Sequence, residues 1–164
     1  MKYISFAFSV LFLGFAFYNF YIGEYADSVA GVFFGAFIGS IFFYVNFQEK
    51  RSLEFLNFVL LNEQKLKNNA ILLYRKKYIT KETIVTKFWA YCSFIVVTFK
   101  LPSSYLIVKQ DDTRTIGFAY SIVTLFLGWW SFPSGPIETL TTLTKNIRGG
   151  DKKNVLQLIN EMKK

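Results

Sequence analysis

The chain has 164 residues, carries a formal net charge of +8, and is 52% hydrophobic and 20% aromatic. Phenylalanine alone occurs 20 times, which exceeds what the core of a soluble domain of this length requires and is typical of a membrane protein. The absence of histidine and the single cysteine, Cys92, exclude Ser–His and Cys–His nucleophile pairs, zinc sites that use histidine, and an intramolecular disulfide. No P-loop or dinucleotide-binding glycine pattern occurs. The sequence therefore predicts a protein that is not an enzyme and that holds no metal or cofactor.

Two uncharged segments open the chain, residues 3–22 and 29–47. Each is close to the ~20 residues that a helix needs to cross the bilayer core, so they predict a transmembrane helical hairpin. A cleaved signal peptide is the alternative for the first segment, but its apolar run exceeds the roughly 7 to 15 residues of such a signal. The link between the segments holds Glu24 and Asp27 and no basic residue, whereas residues 48–115 hold 12 of the 19 Lys and Arg. The positive-inside rule then places both ends of the hairpin in the cytoplasm of a bacterial inner membrane.

Three glycines recur every four residues in the second segment: Gly31, Gly35 and Gly39. They lie on one stripe of a helix and predict a helix-packing groove. Two interpretations remain open at this point. The groove either closes the hairpin within one chain or joins copies of the chain into a homo-oligomer.

Beyond residue 47 the pattern changes. Residues 48–69 predict a juxtamembrane helix, and residues 70–115 are rich in β-branched and aromatic residues, which predicts a small cytoplasmic β-rich domain with strands near 70–78, 83–89, 91–100 and 104–110. A third membrane span over residues 88–108 is the alternative. Lys100 and Pro102 would lie in its middle, where they would be costly in hydrocarbon, so a hairpin of strands is favoured.

Basic residues in this region form either lipid-headgroup contacts or a site for an anionic ligand such as a nucleotide. Duplex nucleic acid is not an expected partner. The candidates are Arg75, Lys76, Lys77, Lys81 and Arg114.

The last segment, residues 116–164, begins with 17 uncharged residues (116–132), the short limit for a span. Trp129 and Trp130 then mark a membrane interface, and Pro133 and Pro136 interrupt the helix. Because the tail that follows is basic, a full crossing conflicts with the positive-inside rule. We expect a re-entrant or shallow helix instead, and both termini in the cytoplasm.

Two amphipathic helices are predicted after the break. The first has an apolar stripe formed by Ile137, Leu140, Leu143 and Ile147, which suits a membrane surface. The second is expected to begin at Asp151. Within the first, Glu138 and Thr141 are the candidates for a polar pore lining.

The segment "LGWWSFPSGP" followed by "RGGDKK" resembles the "GWWGxPWGP" and "GGKD" segments of various uncharacterised small bacterial membrane proteins, over about the last 50 residues. Ser131 and Ser134 replace the Gly and Trp of that pattern. This resemblance implies no function. The architecture alone, two membrane helices before a small β-rich part, is similar to membrane effectors of bacterial anti-phage signalling systems, which respond to nucleotide messengers.

The sequence thus predicts an integral membrane protein and leaves two functions open. The first is a homo-oligomeric inner-membrane effector in antiviral defence, whose cytoplasmic part senses a signal and whose helices form a pore or disrupt the membrane. The second is a non-conducting interaction protein, such as an immunity or assembly factor. Membrane lipid is an expected partner in both.

Overall fold

The structure is a computed structural model that describes residues 2–94, 97–131 and 133–163. It divides into two compact units, residues 1–48 and 49–164. The first unit has nearly the bounds predicted for the hairpin. The residues predicted as three further segments, 48–69, 70–115 and 116–164, fold almost entirely into the second unit.

The first unit is built from α1 (Lys2–Tyr21) and the beginning of α2 (Tyr25–Leu61). The two helices are antiparallel, because Ser9 lies beside Gly35 and Gly39 while Ala16 lies beside Gly31. In the described part of the chain, α2 is the one helix long and apolar enough to cross a membrane, and the apolar stretch Ser9–Tyr21 of α1 is shorter. This finding agrees with the membrane class predicted from composition.

The second unit contains the end of α2, α3 (Glu63–Lys67), and three small sheets. The first is the hairpin of β1 (Leu72–Tyr74) and β2 (Lys77–Ile79). The second has the order β6-β3-β7, with β6 (Leu106–Ile107), β3 (Ile84–Lys87) and β7 (Asp151–Asn154), and both pairs are antiparallel. The third is the hairpin of β4 (Trp89–Phe94) and β5 (Val97–Pro102).

The predicted strands are correct in type but not in number. Residues 70–78 cover most of the β1–β2 hairpin, and residues 91–100 cover most of the β4–β5 hairpin, with Phe94 opposite Val97. Both hairpins lack the Asn-Gly or Asp-Gly pair that marks a tight turn in a sequence, so the sequence pattern predicts a single strand for each. The described residues of 88–108 form strands rather than a third helical span, but the hairpin predicted between strands 91–100 and 104–110 is wrong, because β5 pairs with β4 and β6 pairs with β3.

Three helices complete the second unit: α4 (Thr113–Leu127), α5 (Ser134–Ile147) and α6 (Val155–Met162). The prediction that the last helix begins at Asp151 is wrong, because residues 151–154 form β7 and pair with β3. Asn154 is the actual N-cap, and it forms a capping box with Gln157. Long-range strand pairing, which a local pattern does not show, overrides the helix signal of Asp151.

The main core lies where α6 packs on the end of α2 and on the sheets. Val155, Leu158 and Ile159 on α6 are buried there, so the apolar face of this helix is covered by protein. The other buried members are Phe55, Val59, Leu66, Ile79, Val85 and Ile107. A second, smaller cluster of Phe88, Ala90, Leu106 and Tyr120 joins the β6-β3-β7 sheet to α4.

Helices α4 and α5 form a hairpin that leaves the β6-β3-β7 sheet and returns to it. β6 precedes α4 and β7 follows α5, and both strands pair with β3. Both ends of the helical hairpin therefore lie at the same side of the second unit, so the chain turns back between residues 128 and 133.

Candidate functional site

We name the assembly of β4, β5, α4 and α5 the finger. Contacts along β4 define its direction: Phe88 lies beside Gly117, Tyr91 bonds Thr124, and Ser93 bonds Gly128. In α5 the order is reversed, because Thr139 lies beside Gly128 while Asn146 bonds Trp89. The Phe94–Val97 end of the β4–β5 hairpin and the C-terminal end of α4 therefore lie at one tip, and the β6-β3-β7 sheet forms the base.

The outer surface of the finger is apolar over most of its length. Residues 115–137 carry no charge, and every side chain from 122 to 126 that faces outward on α4 is hydrophobic. On α4 and α5, basic residues appear only at the base, where α4 begins with Arg114 and α5 ends near Lys145 and Arg148. The large exposed hydrophobic side chains are Phe118, Ile122, Val123, Leu125, Phe126, Trp129, Trp130, Ile137, Leu140 and Ile147.

Helix α5 is inverted relative to a helix of a soluble protein. Its buried residues are Gly135, Thr139, Thr142 and Asn146, whereas Ile137 is 67% and Ile147 is 79% exposed. In water the apolar face of a helix turns toward the core. Small and polar residues pack between helices, and apolar side chains point outward, when the surroundings are lipid.

The buried polar side chains of the finger satisfy the free edge of β4. This strand pairs with β5 on one side only. On the other side, Asn146 donates from Nδ2 to Trp89 O at 2.8 Å, and the N–H of Tyr91 donates to Thr124 Oγ1 at 3.0 Å. In the opposite sense, Ser93 Oγ of β4 donates to Gly128 O at 2.7 Å and so satisfies the carbonyl at the end of α4. An unpaired strand edge is not tolerated in hydrocarbon, and here helix side chains replace the missing strand.

The threonine-rich run thus has a structural role that sequence reasoning missed. Thr124 is fully buried and also donates to Tyr120 O at 2.9 Å, so both sides of its hydroxyl are used. The hydroxyl of Thr139 is an exception. It is buried against Gly128 without a hydrogen-bond partner among the described residues.

The two residues predicted to line a pore are engaged within the chain. Glu138 forms an ion pair with Lys100 at 2.7 Å, and Lys100 Nζ also lies 5.9 Å from the centre of the Tyr91 ring. Thr141 Oγ1 donates to Ile137 O of its own helix at 2.8 Å. Lys100 is therefore neutralised by Glu138 at the middle of the finger rather than left alone beside apolar surface.

The predicted interface residues lie at the tip. Trp129 and Trp130 are exposed, and their indole N–H groups donate back to Leu125 O and Phe126 O at the end of α4. Pro133 is the N-cap of α5, but Pro136 lies inside the first turn of that helix. Proline is tolerated there because the N–H it lacks has no partner in a first turn. The prediction that Pro136 belongs to the helix break is therefore wrong.

The five basic candidates do not converge on a ligand site. Arg75 pairs with Glu54 and Lys77 pairs with Asp111. Arg75 and Lys76 form the turn of the β1–β2 hairpin, with φ of 46° and 66°. Arg114 lies in the first turn of α4, beside the N-cap Asp112. Lys81 precedes β3 at the opposite end of that strand from Lys87.

The glycine stripe of the first unit is covered by α1 of the same chain. A Cβ at Gly31 would lie 2.8 Å from the Ala16 Cβ, and one at Gly35 would lie 2.9 Å from Leu13 Cγ. Ser9 Oγ donates to Gly35 O at 2.8 Å, and Gly39 faces the same hydroxyl. The intrachain interpretation thus accounts for all three glycines, and the stripe no longer argues for a homo-oligomer.

Sequence reasoning also missed a small cavity of about 120 Å³ at the base of the finger. Its lining residues are Lys87, Trp89, Tyr105, Asp151 and Lys153. Lys87 Nζ lies 5.3 Å from the centre of the Trp89 ring and 4.9 Å from that of Tyr105. Burial lowers the pKa of Lys87, and the charge of Glu49 partly opposes this effect.

Cys92 is buried in β4. Burial raises its pKa to about 11, so the thiol is protonated and unreactive at neutral pH. In the part of the chain that the structure describes, no group of His, Cys, Asp and Glu side chains could hold a metal ion.

No protein-family model matches the chain, and no curated protein or solved structure is significantly similar to it.

Proposed function

We propose that this protein is a non-conducting membrane protein of the interaction class, anchored by the α1–α2 hairpin, whose second unit inserts the finger into the cytoplasmic leaflet. The observation that carries the proposal is the inversion of α5, which buries Thr139, Thr142 and Asn146 and exposes Ile137, Leu140 and Ile147. The α1–α2 hairpin has the same arrangement, with Ser9, Asn19 and Ser28 buried and its large apolar side chains exposed. One physical reason, an apolar solvent, accounts for both.

The finger is too short to cross the bilayer core, and an upright α4 would reach slightly past the bilayer midplane. At ~1.5 Å per residue, the 15 residues of α4 extend for about 22 Å, less than the ~30 Å of the hydrocarbon core and more than half of it. Arg114, Lys145 and Arg148 at the base would then lie near anionic headgroups, each contributing about 1 kcal/mol to membrane binding. The return of α5 to the same sheet supports a re-entrant element with both termini in the cytoplasm.

A conducting effector is the weaker proposal. A pore needs a polar lining, and the two predicted lining residues are already satisfied, Glu138 by Lys100 and Thr141 by the α5 backbone. The glycine stripe, the predicted assembly surface, faces α1. A role in anti-phage defence at the bacterial inner membrane would therefore have to operate by contact with lipid or a partner.

The three tryptophans permit a direct test, because they lie at opposite ends of the finger. A Trp89→Phe variant keeps tryptophan fluorescence only at the tip. A Trp129→Phe/Trp130→Phe variant keeps tryptophan fluorescence only at the base. Both full-length variants are reconstituted into phosphatidylcholine liposomes that carry bromine on the acyl chains. We expect bromine to quench the fluorescence of the tip tryptophans strongly and the fluorescence of Trp89 at the base weakly. Equal quenching, or a tip that aqueous iodide quenches better than bromine does, would contradict insertion.

Dye release separates the two functions. Liposomes loaded with calcein should retain the dye when the protein is reconstituted. The Glu138→Ala variant should leave this retention unchanged. Release that depends on Glu138 would favour the conducting effector. A tip that is shielded from both bromine and iodide would indicate that a protein partner, rather than lipid, covers the finger.

A further inference from the structure

The cavity at the base of the finger contains an ammonium group that makes no direct ion pair with the described residues. Lys87 is half-buried between the Trp89 and Tyr105 rings and has no ion-pair or hydrogen-bond partner in the described part of the chain. Aromatic faces attract a cation, but they supply no counter-charge. Glu49 acts on Lys87 only through its more distant charge.

A second ammonium group lines the same cavity. Lys153 lies opposite Val85 in the β3–β7 pair, two residues from the position of Lys87. It pairs with Glu161 on the side of α6, and its charge acts unfavourably on Lys87. Two positive groups thus line one partly open cavity, and an anion bound there would stabilise both.

Two other lining residues, Asp151 and Tyr105, contribute a fixed aromatic ring position and a hydrogen-bond donor. Asp151 accepts a hydrogen bond from Trp89 Nε1 at 2.8 Å, which fixes the indole ring beside Lys87. Tyr105 offers a phenolic O–H, and burial raises its pKa, so this group remains a donor at neutral pH. The volume of about 120 Å³ would hold about four waters, which is enough for a small oxyanion.

We propose that this cavity binds a phosphate-type anion, held by the ammonium groups of Lys87 and Lys153 and by the hydroxyl of Tyr105. The ligand is either the phosphodiester of a phospholipid headgroup or a free phosphate group. The inference goes beyond the proposed function, because β3, β7 and the start of β4 form the cavity whether or not the finger enters lipid.

Asp151 makes the proposal specific. Its carboxylate is the one negative group among the lining residues, and it weakens anion binding by like-charge repulsion. Asp151→Asn removes that charge while its side-chain oxygen can still accept from Trp89 Nε1. Phosphate should therefore bind more tightly to this variant, whereas Lys87→Gln should weaken binding about tenfold or more.

The test uses the full-length Trp129→Phe/Trp130→Phe protein, in which Trp89 is the only tryptophan and is excited selectively at 295 nm or longer wavelength, in a maltoside detergent without phosphate. One arm is titrated with inorganic phosphate and a second with dihexanoyl phosphatidylglycerol. Dihexanoylglycerol, the same lipid without the phosphoryl group, is the control for each. Lys81→Gln is the matched control variant, because it removes an equal charge from a residue that does not line the cavity.

We expect a saturable change of Trp89 emission that Lys87→Gln weakens, Asp151→Asn strengthens and Lys81→Gln leaves unchanged. A response to both titrants identifies the phosphoryl group itself, a response to the lipid alone identifies a headgroup site, and a response to phosphate alone identifies a soluble ligand. No response to either titrant would overturn the proposal. An equal response to dihexanoylglycerol, or an unchanged affinity in Lys87→Gln with native circular dichroism, would also overturn it. Quenching by brominated lipid tests the finger independently.

Discussion

The hydroxyl of Thr124 replaces a neighbouring strand for part of β4. It accepts from the Tyr91 N–H and donates to Tyr120 O in a site that is fully buried. Thr124→Val keeps the shape of the side chain but leaves the Tyr91 N–H buried without a partner. We expect it to lower the free energy of unfolding by about 1 to 3 kcal/mol, measured by chemical unfolding in detergent.

Thr141→Val is the matched control for that change. Thr141 is exposed, and its hydroxyl bonds only to the backbone of its own helix. Its replacement should alter the free energy of unfolding by no more than about 0.5 kcal/mol. If both valine variants behaved alike, the side chains of α4 and α5 would not be sustaining the edge of β4.

The turn of the β1–β2 hairpin contains removable backbone strain. Lys76 has a φ of 66°, a left-handed conformation that glycine adopts without cost. Lys76→Gly should raise the free energy of unfolding by about 0.5 to 1 kcal/mol. Lys109→Gly, at a φ of 74°, should act in the same direction.

Lys81 provides the contrast for these two positions, because it is not among the residues with positive φ. Lys81→Gly should destabilise the protein, since glycine there only adds freedom to the unfolded chain. Thermal unfolding of the three variants measures whether glycine stabilises the protein at residues 76 and 109 and destabilises it at residue 81. Destabilisation by all three would show that the turns are not strained.

The α1–α2 pair depends on the close approach that Gly35 allows. Gly35→Leu would force a side chain against Leu13 and the Ser9 backbone, so we expect a loss of about 1 to 3 kcal/mol in helix packing. Ala36→Leu adds a similar bulk at an exposed position and should have little effect. Unfolding in detergent measures the loss, and light scattering measures the mass. A wild-type oligomer that Gly35→Leu dissociates would restore the assembly interpretation of the stripe.

The reversal between α4 and α5 depends on Gly128 more than on the second proline. A Cβ at Gly128 would meet the Thr139 hydroxyl and would lie 2.6 Å from Thr124 O. Gly128→Ala should therefore destabilise the finger by about 1 to 3 kcal/mol. Pro136→Ala should change stability by no more than about 0.5 kcal/mol, because Pro136 occupies a first turn.

Chemical unfolding compares these two variants, and tip fluorescence in a Trp89→Phe background reports the local effect. Gly128→Ala should also shift the emission of Trp129 and Trp130, which adjoin the glycine. A larger effect of Pro136→Ala would mean that the proline, rather than the close approach at Gly128, maintains the reversal.

The distribution of charge over the whole chain predicts one topology. The link with Glu24 and Asp27 should be outside, and both termini should be in the cytoplasm, because 18 of the 19 Lys and Arg lie in residues 48–164 and the finger returns to its base. Reporter fusions after residue 164 and within residues 24–27 measure the two locations. An external C-terminus would require α4 to cross the membrane and would contradict a re-entrant finger.

Several features were predictable from the sequence because they depend only on local composition. The apolar run within α2 and the absence of histidine chemistry are of this kind. The reversal after Trp130 was also predictable, since a basic tail opposes crossing. The tight turn of the β1–β2 hairpin was not predictable, because Arg75 and Lys76 adopt positive φ where Asn-Gly or Asp-Gly usually marks such a turn.

The tertiary structure alone decided which face of each helix is buried and which charges meet. The periodicity of α5 shows that one face is apolar, but the same pattern fits a helix that turns this face inward or outward. Only the contacts of Thr139 and Asn146 with their neighbours show that it points outward. Likewise, Lys100 meets Glu138, and Lys87 meets Lys153, across gaps of 38 and 66 residues that only strand pairing and helix packing close. A local pattern carries no information about such pairs, because long-range packing selects them.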